Sequence, residues 1–144
     1  MNWISVKSGK DLDLLNETFG NFHDGLLKEM CFSSGGYVQK DLSMHAFSSP
    51  VARFLFQRQW ENPSVIEIEF RDIIQINIKP EGIDEFIDIV VARIYLKDTI
   101  FFWSARDYEL HEVGKDNHTW IAAKFLQWRV RDELLGQGLI YMNE

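Results

Sequence analysis

His23 and Asp24, side by side in Gly20-Asn21-Phe22-His23-Asp24, are the residues of this chain best suited to chemistry. An imidazole beside a carboxylate can shuttle a proton or give two ligands to a metal ion. The same residue types also fix a helix-to-strand turn. In that reading Asn and Asp accept from backbone N–H groups, Phe22 plugs the core and His23 satisfies a carbonyl. No further ligand stands at a metal-ligand spacing, so the turn is the default and a metal-dependent hydrolase using His23 and Asp24 is an alternative.

His111 belongs to a second polar stretch, residues 106–118, which also holds His118 and the acids Asp107, Glu109, Glu112 and Asp116. A divalent ion could sit there. The spacing, however, is neither a histidine pair at i,i+4 nor an EF-hand loop, and a solvated loop is the simpler expectation. Polar loops are also common binding elements, which keeps His111 a candidate. Arg53, Arg58, Arg129 and Arg131 fall in strand-like runs. They would pair across a sheet with Glu67 and Glu69, or gather into an anion site. Trp60 stands at a strand end beside a proline turn and is the tryptophan most suited to binding, while Trp103, Trp120 and Trp128 read as core. The binding candidates are thus His23, Asp24, Trp60, His111, Arg129 and Arg131. No catalytic residue, metal set or cofactor is assigned.

The single cysteine, Cys31, lies in a strand-like run and reads as a small buried hydrophobe, the alternative being a nucleophile that needs a nearby histidine. The chain has no phosphate-binding glycine loop, no Gly-x-Ser-x-Gly elbow and no Cys-x-x-Cys pair. These absences lower the expectation of an enzyme. The net charge of −7 disfavours nucleic acid and suits a basic partner or solubility alone. The first residues lack a basic segment followed by an apolar one, and no apolar run is long enough to span a bilayer. The expectation is a cytoplasmic protein with no membrane partner, a homodimer being an open option.

The elements that must position these residues come from periodicity. With 144 residues the chain reads as one domain, 1–144. Ser8 and Asp11 have a capping spacing, and Leu12, Leu15 and Phe19 follow at helical intervals, with Gly20 at the end. Period two then takes over. Leu27 to Phe32 and Tyr37 to Phe47 read as a hairpin around Ser33-Ser34-Gly35-Gly36. Val51 to Trp60 is a strand. Ile66 to Phe70 and Ile74 to Ile78 read as a hairpin turning at Arg71-Asp72, with Glu67 and Glu69 on its wet face. Glu85 to Lys97 and Ile100 to Ser104 read as strands apolar on both faces. Trp120 to Arg131 fits a strand or a helix. The resulting class is α+β, mainly β: a strongly curved antiparallel sheet or small barrel of about eight strands with a short N-terminal helix.

Phe22-His23-Asp24, the strand Leu26 to Phe32 and the later run Ile66-Glu67-Ile68-Glu69-Phe70-Arg71-Asp72-Ile73-Ile74 together resemble small bacterial domains of the immunity-protein type, Imm50-like and related uncharacterised families. The resemblance covers about the first half of the chain. It implies a bacterial protein that neutralises a toxin by binding it, and it carries no catalytic residues with it. A non-enzymatic acidic domain that binds a basic protein partner is therefore the first functional expectation. A small-molecule binder with an aromatic-lined cavity is the second.

Overall fold

The computed structural model describes residues 2–106 and 118–143. Ser8 caps the one α-helix, α1 (Gly9–Thr18), by accepting from the Asp11 N–H at 3.2 Å. Asp11 returns the contact by accepting from the Lys7 N–H at 3.0 Å. Helix termini leave backbone donors without partners, and these two side chains supply acceptors. Leu12, Leu15 and Phe19 form the buried stripe.

Among the described residues there are nine strands: β1 (Ile4–Ser5), β2 (Gly25–Ser33), β3 (Tyr37–Val38), β4 (Met44–His45), β5 (Val51–Arg58), β6 (Val65–Asn77), β7 (Tyr95–Lys97), β8 (Ile100–Ser104) and β9 (Trp120–Val130). The main sheet is antiparallel, in the order β2-β5-β6-β9-β8-β7, with β1 on β9. The fold is therefore mainly β with one helix. Its path has two ends, β2 and β7, and among the described residues no strand ladder joins them, so the pairing does not show a closed barrel. One isolated bridge, Gly25 with Ile89, links the start of β2 to the chain that leads into β7.

One face of the sheet is dry. Phe54, Phe56, Ile66, Ile68, Phe70 and Trp103 are fully buried there, under α1 and Phe22. Phe22 meets Phe19 and Phe56 edge-on at 5.3 and 4.9 Å, and Phe54 and Phe56 do the same to Trp103. Offset and edge-on contacts are the preferred aromatic geometries. These large aromatics fill the interior.

Several elements differ from the sequence expectation. Tyr37 to Phe47 is not the return strand of the first hairpin. It forms a separate flap, β3–β4, and the strand that returns on β2 is β5. The reason is packing: β5 brings Phe54 and Phe56 opposite Met30 and Leu27, and both phenylalanines are fully buried, whereas the flap residues are mostly exposed. Arg71-Asp72 is not a turn. The two expected strands are one, β6, because β9 pairs along it from Ile66 opposite Val130 to Asn77 opposite Trp120. Asp72 has φ +50° and a register shift falls between Ile73 and Gln75, so the residues read as a turn are a kink.

The long strand expected from Glu85 is confined to β7. Upstream of it the backbone bonds to the turn after α1 instead of to a ladder. Trp120 to Val130 is a strand, yet its inward residues are Ile121 and Ala123 followed by Leu126 and Trp128, not one uninterrupted alternation. Cys31 is exposed rather than buried.

Candidate functional site

The turn after α1 brings together three of the sequence candidates. Asn21, Phe22 and Asp24 all have positive φ, which bends the chain sharply from α1 into β2. The bend drives Phe22 into the core and leaves His23 outside. His23 Nδ1 lies 2.6 Å from the Val90 carbonyl oxygen, and its Nε2 lies 3.3 Å from Asp24 Oδ2. Trp60 Nε1 donates to the same Asp24 oxygen at 3.3 Å. His23, Asp24 and Trp60 therefore form one half-exposed cluster. Both ring nitrogens of His23 face acceptors, so the imidazole works as a clamp between the turn and Val90. Among the described residues no three His, Cys, Asp or Glu side chains lie close enough to hold a metal ion.

What the clamp holds is an irregular ledge, residues 81–91. Ile89 donates its N–H to the Gly25 carbonyl at 2.7 Å, and Ala92 donates to Asn21 at 2.8 Å. Just beyond, buried Asn16 donates to the Ile94 carbonyl and accepts its N–H, both at 2.9 Å. Ile89, Ala92 and Ile94 are buried, so every large apolar side chain between them and Gly82 is pushed outward or sideways. Ile83 is 96% exposed and Phe86 92% exposed, and Val90 is exposed as well. Glu81, Asp84, Glu85 and Asp88 stand among them, with no Lys or Arg between residues 81 and 91. Exposed aromatic and aliphatic groups inside an acidic segment are uncommon on a surface that meets only water.

Arg129 and Arg131 sit on the sheet's second face, in a buried network of charges. Glu67 and Glu69 are each 1% exposed. Arg129 Nη2 and Arg131 Nη1 reach Glu67 Oε1 at 2.7 and 3.0 Å, and the Tyr141 hydroxyl donates to Glu67 Oε2. Glu69 accepts from Arg53, Arg71 and Gln127 at 2.8, 2.6 and 2.8 Å. Burial of Glu69 pushes its carboxyl up, but the donors Arg71, Arg53 and Gln127 together outweigh it and hold the group below the usual carboxylate value. Trp3 lies across the arginines, 4.2 Å from Arg129 and 5.3 Å from Arg53.

The chain end covers this face. Buried Glu29 accepts the Ile140 N–H at 2.9 Å and the Tyr141 N–H at 3.1 Å, and Gln57 donates to the carbonyls of Leu134 and Gly136. Burial and the carboxylate of Glu67 push the Tyr141 phenol well above its ordinary value.

The wet face expected for Glu67 and Glu69 is thus a buried one. Arg53, Arg129 and Arg131 do pair with these glutamates. Arg58 does not: it donates to the carbonyls of Pro63 and Thr18 and lies 4.8 Å from the Phe19 ring. Glu29, Arg71, Gln127 and Tyr141 were not singled out by sequence reasoning. The alternation of Ile and Glu in β6 points to the face, but not to the segment that covers it. Cys31 lies at its border. Desolvation of the sulfur raises the thiol's pKa, with nearby Glu67 and Glu69 adding to that against the opposing pull of Arg53. A thiol shifted in that direction is not an activated nucleophile. His111 lies outside the described residues.

No protein family, curated protein or solved structure matches this chain.

Proposed function

We propose that this chain is a non-enzymatic interaction domain, a bacterial cytoplasmic protein of the immunity type, whose ledge at residues 81–91 binds a basic protein partner. The observation that carries the reading is the ledge itself: four acids, no basic residue, and Ile83 and Phe86 standing almost wholly in solvent. Such a surface offers both halves of an interface, apolar anchors and a field that steers a positive partner. The buried network strengthens the field. It sets Arg53 and Arg71 against Glu69, and Arg129 and Arg131 against Glu67, four cations to two carboxylates, so the rest of the chain is more negative than its net charge of −7 suggests. The clamp at His23, Asp24 and Trp60 serves to hold the ledge in place.

Co-expression with the product of the neighbouring gene tests this. A complex should form at low ionic strength and weaken with salt. Phe86→Ser should lower affinity by about thirtyfold, the scale of a hot-spot truncation, with the thermal midpoint unchanged. Failure of any basic candidate to bind at low salt overturns the reading.

A second reading rests on a groove of about 350 Å³ between the ledge and β2, lined by Leu27, Met30, Ile78, Pro80, Ile87 and Ile89 among others. Its volume falls in the range of small-molecule sites, and these six side chains are apolar and not aromatic. A thermal-shift screen against apolar metabolites checks it. A ligand at about a hundred times its Kd adds roughly 2.7 kcal/mol, and a flat response counts against it.

A further inference from the structure

We propose that two copies of this chain pair edge to edge through the outer side of β2, over Met30–Ser33, with the β3–β4 flap of each lapping onto the other. β2 is an end of the strand path, and among the described residues no strand pairs along its outer side. An unpaired edge presents backbone donors and acceptors to any extended chain, and proteins blunt such edges with lysine, bulges or cover. β2 is guarded in this way over its first half only. Gly25 bridges to Ile89, Lys28 is present, and a bulge falls between Leu27 and Glu29. The second half, Met30-Cys31-Phe32-Ser33, has no charge and no proline, and Cys31 and Phe32 are exposed.

The flap continues this open stretch. Val38, Leu42, Met44 and Phe47 are exposed, and the rings of Tyr37 and His45 stack at 4.6 Å. Such a run of apolar side chains exceeds the scattered exposure that needs no explanation.

Charge selects the occupant. From residue 30 to 50 the only Lys, Arg, Asp or Glu residues are Lys40 and Asp41, which cancel. Two copies at −7 repel each other over most of their surface, and this neutral apolar edge is where they can approach at least cost. A basic partner gains nothing from it and is drawn to the ledge instead. An antiparallel edge is also self-complementary under a two-fold axis, since one strand supplies both sides of the ladder. An axis near Cys31 sets the two Cys31 side chains opposite each other.

Sedimentation of the full chain across a dilution series tests the pairing. The expected result is a species of twice the 16.9 kDa chain mass, tightening as salt screens the mutual repulsion. That salt response is opposite in sign to the one expected for a basic partner, so the two readings fail separately. Phe32→Lys and Cys31→Lys should each weaken association at least about tenfold, with the thermal midpoint held at dilutions where wild type and variant are both monomeric, because both side chains are exposed. A short bis-maleimide should link two wild-type chains through Cys31. A chain that stays monomeric throughout, or a dimer insensitive to both lysine substitutions, overturns the proposal. Binding of an added extended peptide or of lipid vesicles at this edge in place of a second copy overturns it as well.

Discussion

The two faces of the main sheet solve the same problem with opposite materials. On one face Phe54, Phe56, Phe70 and Trp103 pack ring against ring beneath α1. On the other, Glu67 and Glu69 are just as deeply buried, but among guanidiniums, an amide and a phenol. The apolar face gains from area removed from water and needs no directional contact. It even tolerates two unmet donors, since the indole N–H groups of Trp103 and Trp128 find no acceptor among the described residues. The charged face has no such latitude. A carboxylate without water is tolerable only when it is paired and hydrogen-bonded, and each buried glutamate there accepts from at least two donors. The difference teaches that burial on the second face depends on geometry, and so on every segment that contributes a donor.

Deleting one central group from each face tests this most strongly. Trp103→Ala on the dry face should cost about 3–5 kcal/mol, the range for large-to-small core changes. Glu67→Ala should cost a similar amount, about 3–5 kcal/mol, because it strands the mostly buried Arg129 and Arg131. Urea unfolding of both variants measures the pair. A cost below about 1 kcal/mol for Glu67→Ala would mean that the network behaves as a solvated surface, and the comparison would break.

Tyr141→Phe probes the cover rather than the sheet. Losing a hydrogen bond to a charged acceptor should cost about 1.5–3 kcal/mol. Because the folded phenol titrates above its unfolded value of about 10, its contribution is whole below that pH and is lost as pH rises beyond it. Wild-type stability should fall on alkaline titration, and Tyr141→Phe should flatten that fall. Unfolding midpoints through the alkaline range decide the matter.

Glu69→Gln should have the smallest effect of the four, about 1–2 kcal/mol, since Arg53 and Arg71 are half exposed and water can replace the lost charge. Its signature is in acid. The folded carboxyl titrates below the unfolded value of about 4.3, so its contribution is present above that value and is lost as pH falls through the lowered one. The variant should therefore lose less stability than the wild type on acidification, as followed by denaturation at neutral and acid pH.

The sequence by itself determined what depends on neighbours in the chain. Ser8 and Asp11 cap α1 because capping is a contact over a few residues. The β5 and β8 runs were legible for the same reason: residue type and period two set which side chains share a face. The tertiary structure decided what depends on distant partners. Arg71-Asp72 reads as a hairpin turn until an eleven-residue partner, β9, runs past it and makes it a kink. Glu85 to Ile94 alternates like a strand, yet its donors go to Asn21 and Gly25, some 70 residues back by the measure of the His23–Val90 separation of 67. Glu67 and Glu69 alternate with isoleucine as they would on a solvated face. Only the arrival of Tyr141, 74 residues after Glu67, makes that face an interior. Alternation reports that a sheet has two sides, and long-range packing decides what lies on each.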